Sequence, residues 1–313
     1  MPKPCQLHFT KPGLLTTIQD HGRLGKQSSG VPVGGAMDGS SMRIANWLVG
    51  NDWNTPVLES TIIGPTIEFD RPCQIAITGA DMKARINGSE IPRYETINVK
   101  SGSTLVFGSA ISGKRTYLAV GGSWQIQTWL GSCSAASYRS DDITPQSIIH
   151  KDSTIAVEPQ KTTKHRSFDI KLRPTFFNEA TIGVVPGPEY HTFNADLRNQ
   201  FWKQNFSIGQ DSNRMGYRLT PPLADYSSFG ELISSAVLPG TVQITNEGKP
   251  IVLMADAQTT GGYPRMAHVI SAHLDILGQL AGGDHIKFRE YSLREAQQAL
   301  IDQKTSLKIT LES

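Results

Sequence analysis

Short apolar runs, rich in the β-branched and aromatic residues that suit a pleated surface, recur along the chain between glycine- and proline-marked breaks. They fall at residues 62–69, 74–77, 97–99, 104–107, 116–120, 154–157, 181–185, 242–244 and 251–254. Turn signals stand between them, among them Ile86-Asn-Gly-Ser89, Lys100-Ser-Gly-Ser103 and Asn246-Glu-Gly-Lys-Pro250. The pattern predicts a mainly β protein, mostly antiparallel, closed as barrels or sandwiches. Helical spacing is rarer. Residues 37–50 carry an apolar stripe, with Asp38 or Ser40 placed to cap its start and Gly50 to stop it. Residues 193–202 read as a second helix, and 268–280 show helix-like apolar spacing. Residues 292–301 form a last helix, opened by Ser292 and Glu295 at capping-box spacing. The polar, aperiodic stretch 161–167 is the candidate linker. It divides the chain near residue 170 into units 1–170 and 171–313, with room for terminal segments to cross between them.

The length of 313 residues suits two domains, and 38% hydrophobic against 19% charged residues marks a globular chain rather than a disordered one. A net charge of +2 with scattered basic residues argues against nucleic acid or a membrane as partner. The opening residues lack an apolar signal segment, and no run approaches the roughly 18 apolar residues of a membrane span. The three cysteines, Cys5, Cys73 and Cys133, are far apart and odd in number. They suggest neither a disulfide framework nor a zinc site, and the expected location is a reducing cytoplasm.

One stretch asks for a chemical explanation. After the apolar run 251–254, residues 255–265 place Asp256, Gln258, Thr259, Thr260, Gly261, Gly262, Tyr263 and Arg265 within a few positions of one another. No core needs that set, because each buried polar side chain must find a partner. Gly261-Gly262 would let the backbone turn tightly and approach a ligand with amides free to donate. The competing reading is a polar strand-to-helix turn with capping hydroxyls.

Three near-matches to known motifs fail. Gly108-Ser-Ala-Ile-Ser-Gly-Lys-Arg115 resembles a phosphate loop, but Arg115 stands where the metal-binding hydroxyl belongs and a strand-like run follows. Met82-Lys83 lacks the apolar residue that follows a biotin-bearing lysine. His268 and His273 are spaced by five without an HExxH pattern, so no metal site is expected.

Further clusters of polar residues and glycine occur at Thr17-Ile-Gln-Asp-His-Gly-Arg23, Gly30-Val-Pro-Val-Gly-Gly-Ala-Met-Asp38, Leu58-Glu59 with Gly64-Pro65, Thr78-Gly-Ala-Asp81, Gly131-Ser-Cys-Ser134, Pro186-Gly-Pro-Glu189 and Ser212-Asn-Arg-Met-Gly-Tyr-Arg218. With Gly13-Leu-Leu-Thr-Thr-Ile-Gln-Asp20 and residues 255–265, and in this order, they resemble the allophanate hydrolase subunit 2 family, also called the biotin-dependent carboxyltransferase family. The likeness is strongest to its stand-alone bacterial branch, the C subunits of ATP-dependent 5-oxoprolinase, and runs from about residue 12 to about residue 295. The sequence departs from the family at Cys133, where arginine is usual, across 135–151, which lacks a glycine-rich segment, and at Ala236, where glycine is common.

The resemblance implies two cyclophilin-like β-barrel units with a few short helices. It also implies an active site shared with a subunit-1-like partner, the B subunit, and a complex that includes a third protein, the A subunit. The implied reaction converts 5-oxoproline, ATP and water to glutamate, ADP and phosphate, with ATP bound here or shared with a partner and no biotin on this chain. Two alternatives remain: a regulatory protein that sequesters a kinase-inhibitor-like partner, and a carboxyltransferase for urea-like amides served by biotin carried elsewhere. Opening a lactam requires cations for developing oxyanions and a carboxylate to orient water or ammonium. Arg214 and Arg265 are the candidate cations, and Asp256 is the candidate carboxylate. Asn213, Gln258, Thr259, Thr260 and Tyr263 would position the substrate, with backbone donors at Gly261 and Gly262. Asp20, Arg23 and Asp38 are further substrate-binding candidates. The competing explanations are a structural ion pair between Arg214 and Asp256, and turn-capping by the aspartates.

Overall fold

Antiparallel pairing organises both halves of the chain. The computed structural model describes residues 3–136, 143–227 and 232–312, and the protein is mainly β, as its pattern predicts. Two compact units emerge, one of Met1–Arg23 with Gly34–Phe176 and one of Leu24–Val33 with Phe177–Ser313. Among the described residues, no helix is long and apolar enough to cross a membrane.

The first unit encloses one core between two sheets. The seven-stranded sheet runs in the order Gly122–Trp124, Thr154–Pro159, Cys5–Lys11, Thr66–Phe69, Thr104–Val106, Arg85–Ile86, Ser89–Glu90. The five-stranded sheet runs Leu15–Gln19, Val57–Thr61, Ser112–Val120, Cys73–Asp81, Ile97–Val99. Leu7, Phe9, Ile67 and Phe69 from the former pack with Ile18, Leu58, Ile75, Ile77 and Leu118 from the latter. Cys5–Lys11 buries alternate residues, as a strand with one solvent face must. The interior of Cys73–Asp81 is buried on both faces, because α1 (Gly39–Leu48) lies against it and against Ser112–Val120. Of the two caps considered for that helix, Asp38 is the one used: its carboxylate accepts from the Ser41 amide at 2.9 Å and the Ser41 hydroxyl at 2.7 Å.

The second unit is a closed seven-stranded barrel in the order Glu179–Pro186, Arg265–Val269, Thr241–Ile244, Pro250–Leu253, Gly216–Thr220, Phe206–Ile208, His285–Glu290. It closes through a parallel pairing of Glu179–Pro186 with His285–Glu290, which removes both sheet edges. On α2 (Ala195–Lys203), Phe201 stacks on Phe288 of the barrel at 4.6 Å between ring centroids. α3 (Leu274–Gly278) is short, and α4 (Leu293–Glu312) opens with the expected reciprocal cap. The Ser292 hydroxyl accepts from the Glu295 amide at 3.2 Å, and the Glu295 carboxylate accepts from the Ser292 amide at 2.8 Å.

Two expectations are corrected. Residues 62–69 do not form one strand: Val57–Thr61 ends at the turn and Thr66–Phe69 begins after Gly64-Pro65, in the other sheet. Ile62 sits there at φ 62, a left-handed conformation that a β-branched residue seldom adopts. Nor are residues 268–280 helical from their start. His268 and Val269 end a strand paired on one side with Glu179–Pro186 and on the other with Thr241–Ile244, and only a 3-10 turn (Ser271–His273) and α3 follow. Ladder hydrogen bonds on both sides override an apolar spacing that a short run shares between strand and helix. The phosphate-loop resemblance ends in a strand, Ser112–Val120, so no helix N-terminus is available to hold a phosphate there.

Candidate active site

In the second unit the polar stretch is held by backbone pairing. Gly216 pairs with Leu253 on the neighbouring barrel strand, and the pairing continues into both flanking loops. There the Met254 amide donates to the Met215 carbonyl at 3.1 Å and the Asp256 amide donates to the Arg214 carbonyl at 2.9 Å. This brings Arg214 beside Asp256. The guanidinium grips the carboxylate with Nε to Oδ2 and Nη2 to Oδ1, each at 2.9 Å. Arg214 is 4% exposed and Asp256 2%. A buried, two-pronged pair of this kind is the structural ion pair weighed above, and it locks the 213–216 and 254–256 loops together. Asn213, exposed beside it, turns its carbonyl oxygen onto the Met215 amide at 2.8 Å.

The next residues form a small second layer. Thr260 and Gly261 pair with Ala236 and Ser235, and the Val237 amide donates to the Thr259 carbonyl at 3.0 Å. Gly261-Gly262 does not make the expected tight turn, since neither residue is left-handed and Gly261 lies in a short strand. A Cβ on Gly261 would lie 2.7 Å from Nε2 of Gln243, and one on Gly262 would lie 3.0 Å from the Leu232 carbonyl. The glycines make room for the protein's own atoms. Buried Gln243 uses that room to donate to the Tyr263 carbonyl at 3.1 Å.

Arg265 finds a partner that sequence spacing does not indicate. Its Nε and Nη2 meet the Glu189 carboxylate at 2.8 and 2.5 Å, its backbone amide donates to the same carboxylate at 3.0 Å, and Nη1 reaches the Ala236 carbonyl at 3.1 Å. The Arg265 hydrogen bond holds the Glu189 carboxyl below the usual carboxylate range. Arg265 keeps 20% of its side chain exposed. Gln258, Thr260 and Tyr263 are exposed as well, so polar groups on this loop stand open to a ligand. Below them His268 lies 3.3 Å from the Thr241 hydroxyl, and burial lowers its pKa.

Asp20, Arg23 and Asp38 belong to the first unit. Asp20 organises the loop around Cys133. Its Oδ1 accepts from the Gly22 amide at 2.8 Å and from the Ser132 and Ser134 hydroxyls at 2.6 Å each. Its Oδ2 accepts from the Cys133 amide at 2.9 Å and the Cys133 thiol at 3.4 Å. Burial alone would raise the pKa of Asp20, but these donors together lower it. Burial, with Asp20 beside it, pushes the Cys133 thiol up. Arg23, 1% exposed, donates to the Ser134 carbonyl at 2.6 Å and lies over the Trp129 ring. Of the divergent segment that follows, residues 137–142 lie outside the described residues.

A buried network that the sequence reading did not assign surrounds Asp38. Tyr117 donates to Glu59 at 2.8 Å and accepts from the Asp38 amide at 2.8 Å. The Met37 amide also donates to Glu59, at 2.8 Å. Arg115 lies 3.8 Å from Glu59. Burial, and then the Glu59 charge, keep the Tyr117 phenol protonated well above its ordinary range. The available signal was Leu58-Glu59, a carboxylate inside an apolar strand.

A carboxyltransferase-domain signature comprising subdomains A and B matches residues 29–290. The chain belongs to the carboxyltransferase family. Among its relatives, the C subunit of 5-oxoprolinase from Escherichia coli is 37% identical over 298 residues, covering 95% of each chain. The urea amidolyase of Saccharomyces cerevisiae is 31% identical over 98% of this chain, which spans 18% of that larger protein. The crystal structure of Kluyveromyces lactis urea amidolyase superposes on 99% of this chain with a TM-score of 0.91 at 28% identity, over 20% of its own length. The fold of this chain thus matches one portion of that larger protein.

Proposed function

We propose that this chain is a subunit of an ATP-dependent 5-oxoprolinase. It contributes part of an active site that is completed by a subunit-1-like partner, the B subunit, in a complex that also holds the A subunit. The likeness to the C subunit of a 5-oxoprolinase over 95% of both chains carries the reading. A lactam amide is a poor electrophile. Phosphorylating its oxygen at the expense of ATP makes the carbonyl carbon open to water, and the enzyme must then bind the ring carboxylate and stabilise developing negative charge.

In this reading the exposed edge of Arg265, with Gln258, Thr260 and Tyr263, meets the substrate. Glu189 fixes the Arg265 fork, so the guanidinium is already oriented when substrate arrives. Arg214 and Asp256 act by positioning, because each satisfies the other and both are buried. Thr259, Gly261 and Gly262 hold the loop in register with residues 235–237. Asp20, Arg23 and Asp38 serve the first unit's loops. The test is reconstitution of the chain with the A and B subunits, followed by ATP-dependent 5-oxoproline turnover.

The match to urea amidolyase favours a second reading, carboxyl transfer to a urea-like amide from biotin carried by another chain. Lys83 makes ion pairs with Glu90 at 3.4 Å and Asp81 at 3.7 Å. Both readings leave it unmodified, so intact-mass analysis after expression with excess biotin should show no adduct. Carboxylation of urea by the reconstituted complex, in place of lactam hydrolysis, would select the second reading.

A further inference from the structure

The ladder between Arg265–Val269 and Thr241–Ile244 sets a second polar side chain beside the Arg265 fork. Val242 pairs with Ala267, and both are fully buried inside the barrel. Thr241, paired with His268, and Gln243, paired with Arg265, therefore face outwards together. The shift in register between Val242 and Gln243 takes up Met266, so Arg265 and His268 keep the same side although three positions separate them. A step of two residues along Thr241–Ile244 sets them about 7 Å apart. The second layer of the site lies over this face, since Arg265 bonds the Ala236 carbonyl and Gln243 the Tyr263 carbonyl.

His268 is held by one ring nitrogen. Nδ1 lies 3.3 Å from the Thr241 hydroxyl, whose oxygen accepts from the Leu238 amide at 3.2 Å. Among the described residues Nε2 has no hydrogen-bond partner, and the residue keeps part of its surface exposed. The strands on either side present Val185 and Thr241, and the covering loop presents Leu238, all uncharged. The charge on this face is that of Arg265 and Glu189, which bond each other. Burial keeps the imidazole neutral at neutral pH. With Nδ1–H donated to Thr241, the neutral ring presents Nε2 as an acceptor.

We propose that His268 is the proton acceptor that activates water in the lactam reaction, with Thr241 positioning its ring. This rests on the proposed hydrolysis, in which ATP phosphorylates the lactam oxygen and leaves a C=N bond in the ring. A water oxygen bonds to the ring carbon, one water proton passes to Nε2, and the π pair of the C=N bond moves to nitrogen. The nitrogen then takes that proton from Nε2, so water has added across the bond and the imidazole is neutral again. While Nε2 carries the proton, Nδ1–H donates to the Thr241 oxygen and steadies the charged ring. Arg265 holds the substrate carboxylate at the other end of the same small ligand.

The test is the pH dependence of turnover by the complex reconstituted with the A and B subunits, for wild type, His268→Gln and Thr241→Val. Glutamine keeps a polar group of similar reach but cannot take up the proton. In wild type, kcat/KM should fall on the acid side with a midpoint below the ordinary histidine value of 6.5, because the charged ring no longer accepts. His268→Gln should lower kcat by about 10²- to 10⁴-fold with KM little changed, and abolish that acid limb. Thr241→Val removes the oxygen that receives the Nδ1 hydrogen of the charged ring. Its acid limb should therefore move to lower pH, a change that loss of packing alone would not produce. This variant retains His268, so the limb is read even if His268→Gln fails to fold. A working complex in which His268→Gln keeps near wild-type turnover, or Thr241→Val leaves the limb in place, would overturn the assignment alone. A wild-type complex without ATP-dependent turnover would overturn the hydrolase reading and the assignment with it.

Discussion

Replacing Asp256 with asparagine removes one charge from the buried pair while keeping its shape. Arg214 is then left 4% exposed, facing an amide instead of a carboxylate, and it loses the charge on both of its 2.9 Å contacts. Breaking a buried ion pair from one side costs about 3–5 kcal/mol, mostly from the stranded charge. At about 2–4 °C per kcal/mol for a domain of this size class, the melting midpoint should fall by roughly 6–20 °C. The companion variant replaces both partners, as Arg214→Met with Asp256→Leu, and should recover most of that loss, because no charge is then left buried alone. Differential scanning calorimetry reads both, with turnover of the reconstituted complex measured beside it. The positioning role predicts that stability and turnover fall together in Asp256→Asn and recover together in the double variant. An unchanged melting midpoint in Asp256→Asn would refute the energetic reasoning. A double variant that melts like wild type yet turns over nothing would refute the positioning role and place chemistry on the pair itself.

Arg265→Lys keeps a positive charge but cannot hold both Glu189 oxygens and the Ala236 carbonyl, so turnover of the complex should drop by roughly 10²-fold with only a small change in melting. Burial lowers the pKa of His273, whose Nδ1 accepts from the Gly183 amide at 2.8 Å and must be neutral to do so. The unfolded chain then binds the proton more readily, so this stability is full above the ordinary value of 6.5 and is lost as pH falls below it. Melting should decline from about pH 7 to about pH 5, less steeply in His273→Asn. Asp20→Asn leaves several donors of the 131–134 loop without an anion to bond, and chemical denaturation should show a loss of about 3 kcal/mol. The lowered pKa of Asp20 also means that its contribution disappears in acid, below the ordinary carboxylate value of 3.8, so the gap between wild type and Asp20→Asn should narrow there.

Local signals carried much of the architecture. Strands announced themselves where β-branched runs lay between turn residues, and Ser292 with Glu295 marked the start of α4 because a cap is a contact between residues three apart. The pattern misled where pairing decided. Residues 268 and 269 open a run whose apolar spacing is compatible with a helix, and only partners on both sides make them the end of a strand. In the site, the polar loop was conspicuous in sequence, but its bonding was not. Asp256 meets Arg214 from 42 positions away and Arg265 meets Glu189 from 76. No spacing rule links such residues, because the barrel's register brings them together. The same holds for Glu59 with Tyr117. The two glycines signal close approach without saying what approaches, and Gln243 and the Leu232 backbone are the protein atoms that lie near them.

The central claim is that this chain completes a 5-oxoproline-hydrolysing complex and does nothing to the lactam alone. The most direct measurement follows ATP-dependent glutamate release from 5-oxoproline with the A and B subunits held constant while this chain is titrated in. The account predicts no glutamate from this chain by itself, and a rate that rises with its concentration to a plateau at a fixed ratio to its partners. Turnover by the isolated chain, or a mixture of the two partners whose rate is indifferent to its addition, would contradict it.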